Sequence, residues 1–324
     1  MIRIFQNARY PFLAWSRRAY LISGALLAIG IGAMIVNVFS IGSWLDYGVD
    51  FTGGTRVVAR FAQGTTVNDI RDALGGDQSL PISRFGAENE FTIRVPPDGS
   101  QDPDAAVNEV VAALEASPAI GEFEVLEREF VGPTIGGELQ WRALLAILIS
   151  FGATLIYLAF RFEFRFGLAA VIATVHDILI TLGFMALLRL EVSLPAVAAI
   201  LTVIGYSLND KIVVFDRIRE NLNKKGGRRE NPAALIDRSV NEVLPRTCLT
   251  GGATLGVLVV LSILAGTVIR DFALILLIGI IIGTYSSMLI GAPALLEIQK
   301  RIGTKEEVER KKGRKRESEE AIPV

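Results

Sequence analysis

Charged residues stand inside apolar runs at two places in this chain. Asp210 and Lys211 interrupt the run that closes with GYSLNDKIVVFDRIREN (Gly205–Asn221), and His176 and Asp177 sit mid-way through an earlier run. A charge near a bilayer centre costs roughly 2.5–3.5 kcal/mol on insertion scales, so each needs a partner or a task. Lys211 has a long stem and is expected to snorkel to the polar edge of its run. Asp210 is too short to do so, being about 10 Å along a helix axis from Arg217. On a helix its face also carries Val203, Tyr206, Ser207 and Val214, which brings two hydroxyls towards it. A carboxyl balanced between desolvation and a nearby cation can take up and release protons. A fixed interhelical hydrogen bond or ion pair is the other reading, and spacing leaves both open. The same two readings hold for His176, the only histidine, whose imidazole titrates near neutrality and could relay protons or donate to a carboxylate on a neighbouring helix. Arg246, after Pro245, either reaches inward to a carboxylate or anchors the run at the interface.

The elements that must hold these residues are membrane helices. The chain has 324 residues and is 51% hydrophobic, too apolar for an ordinary soluble domain. Six runs reach membrane-spanning length: 19–40, 141–160, 166–188, 194–216, 246–266 and 272–296. The first is longer than the roughly 7–15 apolar residues of a cleavable signal and has no Ala-x-Ala end, so it is expected to stay as an anchor. Residues 1–18 are basic, segment 217–246 has eight basic against four acidic residues, and the tail from 297 has nine basic residues. These features predict that both termini and the 217–245 connection are cytoplasmic. Gly252 and Gly256, and Gly279 and Gly283, have the spacing of close helix contacts, with Thr250, Thr254, Thr284, Ser286 and Ser287 as a polar stripe.

Residues 41–140 lie between the first two spans and are expected to form an extracytoplasmic α+β domain. Within 41–138 there are 17 acidic residues, six basic ones and no lysine. GGTRVVARFA reads as a strand and TTVNDIRDALGG as a helix, with Thr66 as N-cap, Asp69 three residues on and Gly75 at the end. LPISRFG and NEFTIRVPP read as strands about a turn at Gly86–Asn89. DPDAAVNEVVAALEAS reads as a helix with Val107, Val110, Val111 and Leu114 on one face, and GEFEVLEREFVG as a closing strand. The order β-α-β-β-α-β is that of a ferredoxin-like split βαβ domain. DYGVDFTGGT (Asp46–Thr55) reads as a clamp between the first span and this domain. Its glycines permit tight turns, but no Lys-Ser/Thr follows and no helix is expected to start there, so it is not a phosphate cradle. Residues 297–324 read as a charged cytoplasmic tail, solvated or bound to a surface. The lone Cys248 reads as a buried, inert thiol. One histidine and one cysteine cannot make a zinc site, no Ser-His-Asp or Cys-His pattern appears, and Asp177 with Asp210 lacks the motifs of an intramembrane aspartyl protease. Neither enzymatic activity nor a cofactor or metal is expected.

DYGVDFTGGT, VGPTIGGEL (Val131–Leu139), the His-Asp pair, GYSLNDKIVVFDRIREN and LPRTCLTGGATL together resemble the SecF family of protein-export membrane proteins, within the RND superfamily, over about residues 15–297. The resemblance implies a six-span half unit pairing with SecD beside the SecYEG channel in the cytoplasmic (inner) membrane. There it would use the proton-motive force to complete preprotein translocation on the outer side. It implies Asp210 as the proton-coupling residue, Arg246 as its electrostatic partner, and Ser207, Asn209, His176 and Asp177 as motif neighbours or relay residues. It also implies Gly48, Asp50, Phe51, Gly53 and Gly54 as the domain-coupling motif. SecD, SecYEG, the translocating preprotein, YajC and SecA are the implied partners, protons the coupling ion, and no nucleic acid takes part. A non-energetic scaffold for SecD and the channel is an alternative; half of a small-molecule RND exporter is another, disfavoured by the small outer domain.

Overall fold

A computed structural model describes residues 8–76, 80–84, 89–95, 103–224, 230–265 and 267–301. The expected hairpin turn at Gly86–Asn89 falls mostly outside them, as does the tail beyond 301. Among the described residues six helices are long and apolar enough to cross a membrane. They are α1 (Phe12–Ile41), α5 (Pro133–Arg161), α6 (Phe164–Leu188), α7 (Leu194–Asn223), α8 (Pro232–Leu264) and α9 (Thr267–Ser286). The last continues through a π-helical turn, Ser287–Gly291, to Arg301. The short helix α2 (Val49–Thr52) and the strands β1 (Gly54–Phe61), β2 (Ile82–Arg84), β3 (Glu90–Val95) and β4 (Phe123–Val131) lie between α1 and α5. Helices α3 (Val67–Ala73) and α4 (Pro103–Ala116) complete that segment.

The helices extend beyond their apolar runs. Helix α8 begins at Pro232, well before the run expected from 246, and contains Pro245. Its first turns are amphipathic: Leu235, Ile236, Val240, Val243 and Leu244 are buried against Phe166, Phe215 and Ile218, while the polar side stays outside. Packing of one face, not continuous hydropathy, makes this part helical. Between apolar helices in lipid, close backbone approach replaces the hydrophobic drive. Gly30 of α1 and Gly183 of α6 meet backbone to backbone, so that a Cβ on Gly30 would lie 2.7 Å from the Gly183 Cα. Gly279 and Gly283 of α9 receive Val203 and Ser207 of α7, as their spacing predicts. Gly252 and Gly256 of α8 meet nothing within 4 Å; Gly251 is the residue that approaches α9, at Thr284. Helices α7 and α9 are the most enclosed spans and α5 the least.

The α+β domain has one antiparallel sheet in the order β2-β3-β1-β4. Strands β1 and β2 are therefore parallel with β3 between them, the split βαβ arrangement. Alternate residues of β1 and β3 (Val57, Ala59, Phe61, Phe91, Ile93) pack under Ile70 of α3 and Val107, Val110 and Leu114 of α4. Each large side chain so buried contributes about 1.5–3 kcal/mol. Helix α3 starts in a capping box: the Asp69 N–H donates to Thr66 Oγ1 at 3.3 Å, and the Thr66 N–H donates to Asp69 Oδ2 at 2.7 Å. The other sheet face carries Arg56, Val58, Thr92 and Arg94 and is turned to the bundle. A register shift between Val58 and Ala59 keeps Glu127 and Glu129 of β4 on this face.

Candidate functional site

Helices α6, α7 and α9 converge on two buried aspartates. Asp177 belongs to α6, and Lys211 of α7 places its Nζ 2.6 Å from Asp177 Oδ2. Ser207, one helical turn before Lys211, donates to the same oxygen at 2.5 Å, and Ser286 of α9 donates to it at 2.8 Å. Lys211 Nζ also contacts Ser207 Oγ and reaches its carbonyl at 3.4 Å. Both Asp177 and Lys211 are fully enclosed, at 0% exposure. The expected snorkelling of Lys211 is therefore overturned. A carboxylate on a neighbouring helix satisfies its ammonium inside the bundle, where removing one partner of a buried pair costs far more than leaving an exposed pair unmade.

His176 makes no hydrogen bond to another helix among the described residues. Its Nδ1 lies 2.9 Å from Oδ1 of adjacent Asp177, and its buried Nε2 has no hydrogen-bond partner among the described residues. The hydroxyls expected near Asp210 go elsewhere: Ser207 to Asp177 and Lys211, and Tyr206 to Thr254 Oγ1 at 3.4 Å. Thr284 of α9 is the residue that donates to Asp210, at 3.1 Å to Oδ2. Asp210 is 3% exposed and has no ion pair among the described residues. Arg246 is exposed on α8 and acts on Asp210 through space, without direct contact. Asn209 is exposed on the other side of α7. Cys248 is half-buried beside the apolar cluster around Phe215.

The glycine-rich motif after α1 docks on the opposite end of the bundle from the start of α8. Contrary to expectation, it contains a helix, the single turn α2. The Gly48 N–H donates to the Val192 carbonyl at 2.9 Å and the Val192 N–H to the Asp46 carbonyl at 2.7 Å. Glu191 lies so close over Gly48 that any Cβ there would overlap its carboxyl group. Asp50 Oδ2 accepts the Leu194 N–H at 2.7 Å and so caps the first turn of α7. The Phe51 carbonyl accepts from Gln140 Nε2 at 2.6 Å, and Gly136 packs on the Gly53 backbone. Gly53 and Gly54 have φ of 71° and 108°, a conformation that favours glycine. Asp46 holds Arg94 of β3 through two bonds of 2.7 and 3.0 Å. The motif thus ties α1, α5, α7 and the sheet to one another.

Residues 38–65 match the family described as SecD/SecF GG Motif, and residues 111–301 match Protein export membrane protein SecD/SecF, C-terminal. The protein translocase subunit SecF of Gemmatimonas aurantiaca is 43% identical over 93% of this chain and 90% of its own. The chain belongs to the SecF family. Protein translocase subunit SecF of Vibrio alginolyticus is 40% identical over 89% of each chain. The crystal structure of SecDF from Thermus thermophilus, described as a translocon-associated membrane protein, superposes with a TM-score of 0.80 at 36% identity. That match covers 93% of this chain and 40% of the longer SecDF chain. A SecDF structure in a super-membrane-facing form gives a TM-score of 0.66 over 95% of this chain and 41% of its own. This is a multi-pass membrane protein of the SecF family.

Proposed function

We propose that this chain is the SecF-type half of a twelve-span SecD–SecF unit that couples proton movement at Asp210 to late preprotein translocation beside the SecYEG channel. The observation that carries the reading is the state of Asp210. It is buried, it has one neutral hydrogen bond, and the nearest lysine in sequence is already committed to Asp177. Charged Asp210 attracts Arg246; neutral Asp210 does not. The change acts on α7, which is packed into α9 at Gly279 and Gly283 and capped by Asp50 at its other end. Movement of α7 would pass through Asp50 to the α+β domain. A charge crossing a 100 mV potential supplies about 2.3 kcal/mol, enough to bias a bistable packing.

In this reading the termini and the α7–α8 connection face the cytoplasm across the inner membrane, and the α+β domain faces outward to meet the preprotein. SecYEG, YajC and SecA act as further partners. The work is conformational, without covalent chemistry, cofactor or nucleic acid. The test is preprotein export in cells whose only copy carries Asp210→Asn, together with co-purification of SecD. Loss of export with intact assembly supports the reading. Normal export with intact assembly overturns it in favour of a scaffold.

A further inference from the structure

The register of β1 and β3 puts Arg56 directly opposite Arg94. Like charges opposed across strands destabilise a sheet, yet both guanidiniums are buried, with side chains 8% and 12% exposed. Carboxylates from three directions offset this. On β4, Glu127 and Glu129 lie 3.0 and 2.7 Å from Arg56. After α1, Asp46 holds Arg94. In the turn between α6 and α7, Glu191 lies between the two arginines, 4.0 Å from Arg56 and 3.7 Å from Arg94. Two more carboxyls complete the joint. Asp50 of α2 lies near Glu129, and Asp271 of α9, beside Arg270, lies near the Glu191 backbone. Six carboxyls thus meet three cations, and the Nε atoms of Arg56 and Arg94 have no hydrogen-bond partner among the described residues.

We propose that this joint is a second proton site, distinct from Asp210, in which one proton held on Glu129 beneath the Arg56–Arg94 pair keeps the α+β domain docked on the bundle. Six carboxyls facing three guanidiniums leave negative charge in excess at a largely buried joint, and a proton on Glu129 removes one such charge. Burial pushes the Glu129 carboxyl above the ordinary glutamate value; Arg56 pulls it back, and Asp50 and Glu127 push it further up. Burial likewise raises Glu191, against the pull of Arg94 and Arg56. A raised carboxyl binds its proton more tightly docked than undocked. Docking is therefore favoured at low pH and weakens as pH rises through the raised values, by at most about tenfold in the docked-to-undocked ratio per pH unit for each proton. Asp50 also caps α7, so loss of this proton would loosen the sheet and the α7 end together.

The test uses the complex with SecD in lipid nanodiscs, both faces at one pH, with spin labels at Glu115→Cys and Leu188→Cys in a Cys248→Ser background. The expected result is a short interlabel distance that gives way to a longer one as pH rises. Glu129→Gln removes the carboxylate charge without a proton, and Asp50→Asn removes a neighbouring one; either is expected to stay docked throughout. Glu129→Gln should also lose a protonated-carboxyl infrared band. Asp210→Asn is expected to keep the wild-type response. A wild-type distance independent of pH, a wild-type pH response in both amide variants, or loss of the response in Asp210→Asn would each overturn the proposal.

Discussion

Asp177 and Asp210 are buried acids on packed neighbouring helices, but their surroundings differ in kind. Asp177 meets an ammonium, two serine hydroxyls and an imidazole, while Asp210 meets one threonine hydroxyl. A buried charge with a full set of partners is a fixed part of the packing, because losing any partner leaves the others unsatisfied. A buried acid with one neutral partner can change state without dismantling its neighbours. Of the two aspartates, only Asp210 has the freedom a proton-coupling residue needs, although both break apolar runs in the sequence.

Substitutions can break or sharpen this contrast. Lys211→Met leaves Asp177 charged and unpaired, and we expect a loss of about 3–5 kcal/mol, seen as a lower unfolding temperature of the purified complex. Adding Asp177→Asn should restore most of it. A stable Lys211→Met protein would show that the pair is not structural. Gly283→Ala places a Cβ 2.9 Å from that of Ser207, between the two sites. It should cost about 1–3 kcal/mol through overpacking and impair export as well. Ser286→Ala removes a bond to the charged Asp177, for about 1.5–3 kcal/mol, and Thr284→Val removes the bond to Asp210, for about 0.5–1.5 kcal/mol. The smaller stability loss should accompany the larger functional one, with export falling more in Thr284→Val; an equal fall would erase the distinction. Asp210→Asn should change stability least, within about 1 kcal/mol, because an amide oxygen still accepts from Thr284.

Local chemistry was legible in the sequence where it depends on near neighbours. The capping box at Thr66 and Asp69, the apolar face of α4 and the six spans follow from spacing, composition and length. The Gly279–Gly283 contact was visible too, since small residues at that spacing admit one neighbouring helix. The partner of Lys211 was not, because Asp177 lies on another helix and spacing reports only the face a residue shares with its own turns. Hydropathy also hid the start of α8, whose first turns bury one side only. Nor could it show that Ser207 would turn from Asp210 to Asp177: adjacent residues point about 100° apart, and helix crossing decides which direction meets a charge. The joint around Glu191 draws on six separate segments and leaves no local pattern.

The contact of Gly30 with Gly183 has a mechanical meaning. With no side chain between them, α1 and α6 touch there backbone to backbone, like the two legs of a strut pinned towards their C-terminal ends. Beyond the pin each leg delivers one acid to the same arginine: Asp46 follows α1, Glu191 follows α6, and both reach Arg94. A tilt of α6 that carried Asp177 would therefore be felt under the sheet as torque on a single guanidinium, over a lever arm set by the height of the pin.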